Sequence, residues 1–199
     1  MSKEVLSGTS LAGMSTTRER VQDDYYATPY QATEMLLDEV KFIGNFLEPC
    51  VGGGHIADVI KKYHPNECVY AIDLVDRGYP NTLVADFLKY DFLGQKFDNI
   101  VTNPPYSLAQ EFLEKGMEVV NDEGKIAMFL KIQFLEGAKR REMFKKYPPK
   151  YIYVFSKRQN PWRNGSPVDE KGKPWASTMC FAWFVWEKGF TGEPIVRWL

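Results

Sequence analysis

Residues 42–63 read FIGNFLEPCVGGGHIADVIKKY. Phe42 to Leu47 is an apolar run of strand length, closed by Glu48-Pro49. Gly52-Gly53-Gly54 then forms a tight turn where backbone can approach a ligand closely. Ile56, Val59, Ile60 and Tyr63 follow at i, i+3, i+4 and i+7, which is one face of a helix. A strand, a glycine turn and a helix together make the unit from which parallel sheets are built.

The same alternation continues outward. Upstream, Thr28-Pro29 predicts an N-cap and first helical position for a short helix carrying Met35, Leu36, Leu37 and Val40. Downstream, strands are predicted at Cys68–Leu74, Thr82–Ala85, Asp98–Thr102 and Lys125–Leu130, with a helix from about Leu108 to Val120. A basic helix over residues 138–146 precedes strands at Tyr151–Phe155 and Met179–Glu187. Those last two have only a Gly/Pro-rich stretch between them, so they are expected to pair antiparallel across a long loop near 156–178. Strands separated by helices predict an α/β fold, a mostly parallel sheet covered on both faces. Residues 1–22 are rich in Ser, Thr and Gly and are expected to be flexible, with 23–199 forming a single domain.

Composition narrows the class. The chain has 199 residues, 44% hydrophobic and 26% charged, which excludes disordered, collagenous and coiled-coil designs. Lys and Arg number 25 against 26 for Asp and Glu, so no overall basic coat exists, although a local one can. The three cysteines are scattered and lack a C-x-x-C pair, which predicts neither a disulfide framework nor a zinc site. With no signal peptide and no apolar run of membrane-spanning length, a cytoplasmic protein without membrane contact or bound metal is expected.

Three groups of residues carry chemistry. The glycine turn, with Gly52, Gly54 and Ala57 in a G-x-G-x-x-A pattern and Asp73 nineteen positions beyond Gly54, suits a nucleotide-containing cofactor. On that turn alone a dinucleotide oxidoreductase fits as well. Asp73 can accept from both hydroxyls of a ribose, and Asp86-Phe87 can pair with and stack on an adenine.

Asn103-Pro104-Pro105-Tyr106 decides between these readings. Two consecutive prolines stiffen the backbone because their rings fix φ, and neither has an N–H, so local carbonyls face outward without a competing donor. The Asn103 oxygen and the Pro104 carbonyl can accept both hydrogens of one planar amino group, while Tyr106 offers a face for its ring. That raises electron density on a conjugated nitrogen and favours its attack on an electrophilic methyl.

The third group is a charge cluster. Nine basic residues and one acid lie between Lys139 and Arg163, a local net charge of +8. With Pro161-Trp162 and Pro174-Trp175 in the same region, this is a candidate polynucleotide surface.

Between about residues 24 and 188 the chain resembles the S-adenosylmethionine-dependent adenine-N6 DNA methyltransferases of the NPPY type. The matching residues are YATP (Tyr26–Pro29), EPCVGGG (Glu48–Gly54), Asp73, ADF (Ala85–Phe87) and NPPY (Asn103–Tyr106). The resemblance implies a Rossmann-like methyltransferase fold with a seven-stranded sheet whose terminal strand runs antiparallel. It implies S-adenosylmethionine held by Tyr26, Thr28, Pro29, Glu48, Pro49, Gly52, Gly54, Asp73, Asp86, Phe87 and Asn103. The target amine would sit on Asn103, Pro104, Pro105 and Tyr106, after the base leaves the stack. Nucleic-acid contacts would come from Lys139, Arg140, Arg141, Arg158, Trp162 and Arg163.

The chain departs from most of that family in lacking room for a separate recognition domain, and in carrying His55 after the glycines. DNA is the expected substrate, with RNA adenine or a protein glutamine amide as alternatives, or a non-catalytic subunit that only binds the cofactor. A second copy or a separate specificity subunit is the partner that would suit so small a chain.

Overall fold

The computed structural model describes residues 25–176 and 178–199. The flexible segment expected at 1–22 lies outside them. In chain order the elements are β1 (Tyr26–Ala27), α1 (Tyr30–Glu39), β2 (Phe46–Glu48), α2 (His55–Tyr63), β3 (Val69–Asp73), β4 (Leu83–Val84) and β5 (Phe97–Thr102). There follow α3 (Ala109–Val119), β6 (Val120–Lys131), α4 (Ala138–Lys146), β7 (Tyr151–Val154), β8 (Trp162–Arg163), β9 (Phe181–Glu187) and β10 (Ile195–Trp198).

Eight strands form one sheet in the order β10-β7-β9-β6-β5-β2-β3-β4. Strand β9 runs antiparallel to both β6 and β7, and the other pairings are parallel. The predicted antiparallel pair is therefore present, with Tyr151 opposite Val185 and Val154 opposite Ala182. Two features extend the expectation. Ile195–Trp198 adds an eighth strand beside β7. Strand β6 also begins at Val120 rather than Lys125, and its register against β5 slips between Phe97 and Asn99.

The central strands are apolar on both faces because both are covered. Along β6, Ile126, Met128 and Leu130 pack with α3 residues Phe112, Leu113 and Met117, and with Met143 of α4. The alternate residues Ala127 and Phe129 pack with Leu36 of α1 and with Ile56, Val59 and Ile60 of α2. Strand β9 alternates in the same way, and its Trp183 indole donates to the Ala32 carbonyl at 2.7 Å, fixing α1 to the sheet.

The parallel direction brings the carboxyl ends of β2, β3, β4, β5 and β6 to one edge. Glu48, Asp73, Asp86, Asn103 and Lys131 lie at or just beyond those ends. Open α/β sheets place their ligands there.

Candidate active site

The glycine turn is shaped by what presses on it. Gly52 and Gly54 have φ of +53° and +87°, values that disfavour a side chain. A Cβ at Gly52 would lie 2.5 Å from the Tyr25 ring, and one at Gly54 would overlap the Tyr79 ring. The Gly53 N–H donates to the Tyr25 hydroxyl at 2.9 Å, and the Arg77 guanidinium lies 4.3 Å over the Tyr25 ring. Tyr25, Arg77 and Tyr79 were not legible as site residues, since a tyrosine acquires this role only from packing.

Asp73, at the end of β3, accepts from Gly52 N–H at 2.7 Å and from Val75 N–H at 3.0 Å, one on each oxygen. Each oxygen keeps a second lone pair for a ligand hydroxyl. Glu48 is 1% exposed and its Oε2 has no partner among the described residues. Burial pushes its carboxyl well above the ordinary glutamate range, and the Ala57 backbone N–H opposes this only in part. Pro49 is buried beside it.

Thr28 was expected to cap α1, and this is corrected: the helix starts at Tyr30 after Pro29, without a side-chain cap. The Thr28 hydroxyl is instead buried with no partner among the described residues. Two orphaned buried oxygens, Thr28 Oγ1 and Glu48 Oε2, thus belong to the two segments that meet at the glycine turn. Oxygens so placed fit a ligand that brings its own donors, such as an ammonium or hydroxyls.

Asp86 takes the Leu88 N–H and an ion pair with Lys89 at 2.9 Å, and the lysine holds its carboxyl below the usual aspartate range. Phe87 was expected to stack on an adenine. Its ring is 3% exposed and packs against Phe92 and Phe112, because the apolar face of α3 draws it into the core.

At the end of β5, Asn103 donates its side-chain N–H to the Tyr26 carbonyl at 2.7 Å. That orients the amide and leaves its oxygen as the end available to accept. Pro104 is buried and Pro105 and Tyr106 are half-buried. The Tyr106 ring rests against Phe181 at 5.9 Å, and the Lys131 ammonium lies 4.8 Å over it.

The expected nucleic-acid residues divide. Lys139, Arg141 and Arg158 are exposed. Arg140 is half-buried and makes contacts within the chain. Its Nη1 donates to the carbonyls of Phe134 and Glu136, and its guanidinium stacks 5.0 Å over Phe134. Those carbonyls end a 3-10 turn and would otherwise lack donors.

Trp162, expected to line a flipped base, is half-buried and packs edge-on to Tyr30 at 5.6 Å and to His55 at 5.5 Å. Arg163 stacks 4.8 Å over Trp175. These contacts follow from β8 pairing with β1, Ala27 opposite Trp162 and Tyr26 opposite Arg163, which ties the long loop to the segment carrying Tyr25. His55 stacks on Tyr30 at 5.1 Å, and burial lowers its pKa. Among the described residues no cluster of three or more His, Cys, Asp or Glu could hold a metal ion. No helix among them is long and apolar enough to cross a membrane.

No family model matches the chain. In sequence it is similar to a bifunctional methyltransferase of Rickettsia typhi, 36% identical over 136 residues, which is 58% of this chain. The chain spans about a quarter, 26%, of the length of that relative.

In structure it is similar to a Listeria monocytogenes protein assigned to the class I S-adenosylmethionine-dependent methyltransferases. The TM-score is 0.59 at 15% identity, over 87% of this chain and 65% of that one. It is similar also to the M protein of the type I restriction enzyme EcoKI, with TM-score 0.59 and 15% identity over 83% of this chain and 44% of that one. A Pyrococcus horikoshii protein assigned as an RNA methyltransferase gives 0.60 at 12% identity, over 91% and 96% of the two chains. The fold is the Rossmann-like methyltransferase fold.

Proposed function

We propose that this chain transfers a methyl group from S-adenosylmethionine to the N6 amino group of an adenine in DNA, the base being flipped onto Tyr106. The observation that carries the reading is the Asn103 amide, tied by its nitrogen to the Tyr26 carbonyl so that its oxygen can accept.

The cofactor would be held by Glu48 and Thr28 at its methionine end, by the Gly52–Gly54 turn, and by Asp73 at its ribose. It supplies an electrophilic methyl carbon bonded to a sulfonium. Glu48, buried and with no ion pair among the described residues, suits the ammonium of the methionine moiety. Asp86 reaches the adenine by exchanging its exposed Lys89 partner, an ion pair weak enough to give way.

On the substrate side, the Asn103 oxygen and the Pro104 carbonyl accept the two amino hydrogens and concentrate electron density on nitrogen. Tyr106 receives the ring, and stacking of this kind contributes roughly 1–3 kcal/mol, offsetting part of the few kcal/mol lost on unstacking. The proton leaves after the methyl has arrived, when the nitrogen is cationic and strongly acidic, so no strong base is required of these residues. Lys139, Arg141 and Arg158, all exposed, would meet phosphates.

The work would be done by one domain from residue 23 onward, in a reducing cytoplasm where Cys50, Cys68 and Cys180 stay free. A specificity subunit or second copy would extend its reach over DNA.

The test is to incubate the protein with methyl-labelled S-adenosylmethionine and, separately, DNA, RNA and protein. Label is expected in DNA. Label in RNA or protein alone would move the same chemistry to another polymer, and label in none would end the reading.

A further inference from the structure

Lys131 is the last residue of β6 and lies opposite Phe181 on β9, the residue whose ring supports Tyr106. Its stem is therefore rooted in the sheet rather than in a loop, the residue is half-buried, and its ammonium is held 4.8 Å over the Tyr106 ring. Among the other half-buried lysines, Lys115 pairs with Glu118, Lys150 with Glu187 and Lys188 with Asp122, while Lys125, on the same strand, has no carboxylate within ion-pair distance among the described residues. Among the described residues no carboxylate lies within ion-pair distance of Lys131. A half-buried lysine with no carboxylate beside it among the described residues, held over the ring that would receive the target base, is placed to receive an anion.

We propose that Lys131 is a substrate-positioning residue that binds a phosphate flanking the target nucleotide and so holds its base on Tyr106. The assignment rests on the adenine-methylating reading above, and names a contact which that reading does not require.

A phosphate is the better partner on chemical grounds. A cation hydrogen-bonded to a ring nitrogen would draw electrons out of the conjugated amine, opposing the acceptors at Asn103 and Pro104. A phosphate takes the positive charge without touching the ring. A compact ammonium on a flexible stem is also suited to a single phosphate oxygen, and it can leave the Tyr106 face as a base arrives. Phosphate contacts of this sort fix position rather than sequence.

The experiment uses the full chain, saturating S-adenosylmethionine and a single-stranded oligodeoxynucleotide containing one adenine. Wild type, Lys131→Gln and Lys131→Arg are compared on this oligonucleotide. The comparison is repeated on two versions in which the phosphate on one or the other side of that adenine is a neutral methylphosphonate. Lys131→Gln should raise KM for the oligonucleotide roughly 10-fold, the size of a lost charge-assisted hydrogen bond. Its kcat and cofactor affinity should change little, and Lys131→Arg should recover most of the loss. One of the methylphosphonates should impose the same penalty on wild type and no further penalty on Lys131→Gln.

Equal sensitivity of wild type and Lys131→Gln to both methylphosphonates would overturn the phosphate assignment. So would a fall in kcat at unchanged KM. A wild-type protein that methylates no adenine in any of the three oligonucleotides would instead overturn the functional reading itself, and this proposal with it.

Discussion

The side chain of Asn103 donates to the backbone carbonyl of Tyr26 at 2.7 Å, so the end of β5 and the segment preceding α1 are joined through one amide. The bond fixes which end of that amide faces the site. Asn103→Ala removes the acceptor and should abolish turnover while cofactor affinity, measured by calorimetry, stays within several-fold. Asn103→Asp turns an oxygen toward the Tyr26 carbonyl and should in addition lower Tm by several degrees, since each kcal/mol is worth about 2–4 °C in a chain of this size. A large loss of cofactor binding in Asn103→Ala would show that the residue serves the cofactor instead.

Glu48 gives the account a pH signature. Its folded-state carboxyl keeps its proton to higher pH than it does in the unfolded chain, whose value is near 4.5. The destabilisation is therefore absent in acid. It grows as pH rises above the unfolded value and is complete only above the raised folded one. Glu48→Gln should raise Tm at pH 8, leave it nearly unchanged at pH 4, and weaken S-adenosylmethionine binding. Thermal melts without ligand at the two pH values test the first two points. An equal gain at both would mean that the carboxyl is not held neutral.

The basic helix α4 should separate by residue. Lys139 and Arg141 are exposed, whereas Arg140 spends its guanidinium on the carbonyls of Phe134 and Glu136 and on the Phe134 ring. Lys139→Ala with Arg141→Ala should flatten the salt dependence of DNA binding by about two phosphate contacts, at roughly 0.7–0.9 in log–log slope each. Arg140→Ala should lower Tm instead and change the slope little. A slope that responds to Arg140 alone would reverse this assignment.

Much of this fold could be read from the chain because its signals are local. The apolar run Lys125–Leu130 is punctuated by charge, and the helix after Gly54 repeats its apolar residues every turn, whereas of the strand expected over Phe42–Leu47 only Phe46–Glu48 forms, Gly44 turning the chain at a φ of +86°. Strand β10 gave no such signal. Its four residues are all exposed, so no alternation marks them, and backbone pairing with β7 is what makes them a strand. The two-residue ribbon of β1 and β8 is likewise a long-range event, joining residues more than 130 positions apart.

Asp73 and Asn103 were singled out in the sequence by their chemistry and Glu48 by the resemblance, and all three lie at or just beyond strand ends on one edge of the sheet. Orientation was not legible. Phe87 follows an acid in a motif, yet hydrophobic burial against Phe92 and Phe112 decides where its ring points. Arg140 and Lys131 look like any surface cation until the Phe134 carbonyl and the Tyr106 ring are found beside them.

The most direct measurement is the position of the transferred methyl. DNA incubated with the protein and isotopically labelled S-adenosylmethionine would be digested to nucleosides and resolved by mass spectrometry. The account predicts label in N6-methyldeoxyadenosine, with none when Asn103 is alanine. Label on a cytosine ring carbon, or adenine methylation that survives loss of the Asn103 side chain, would contradict it.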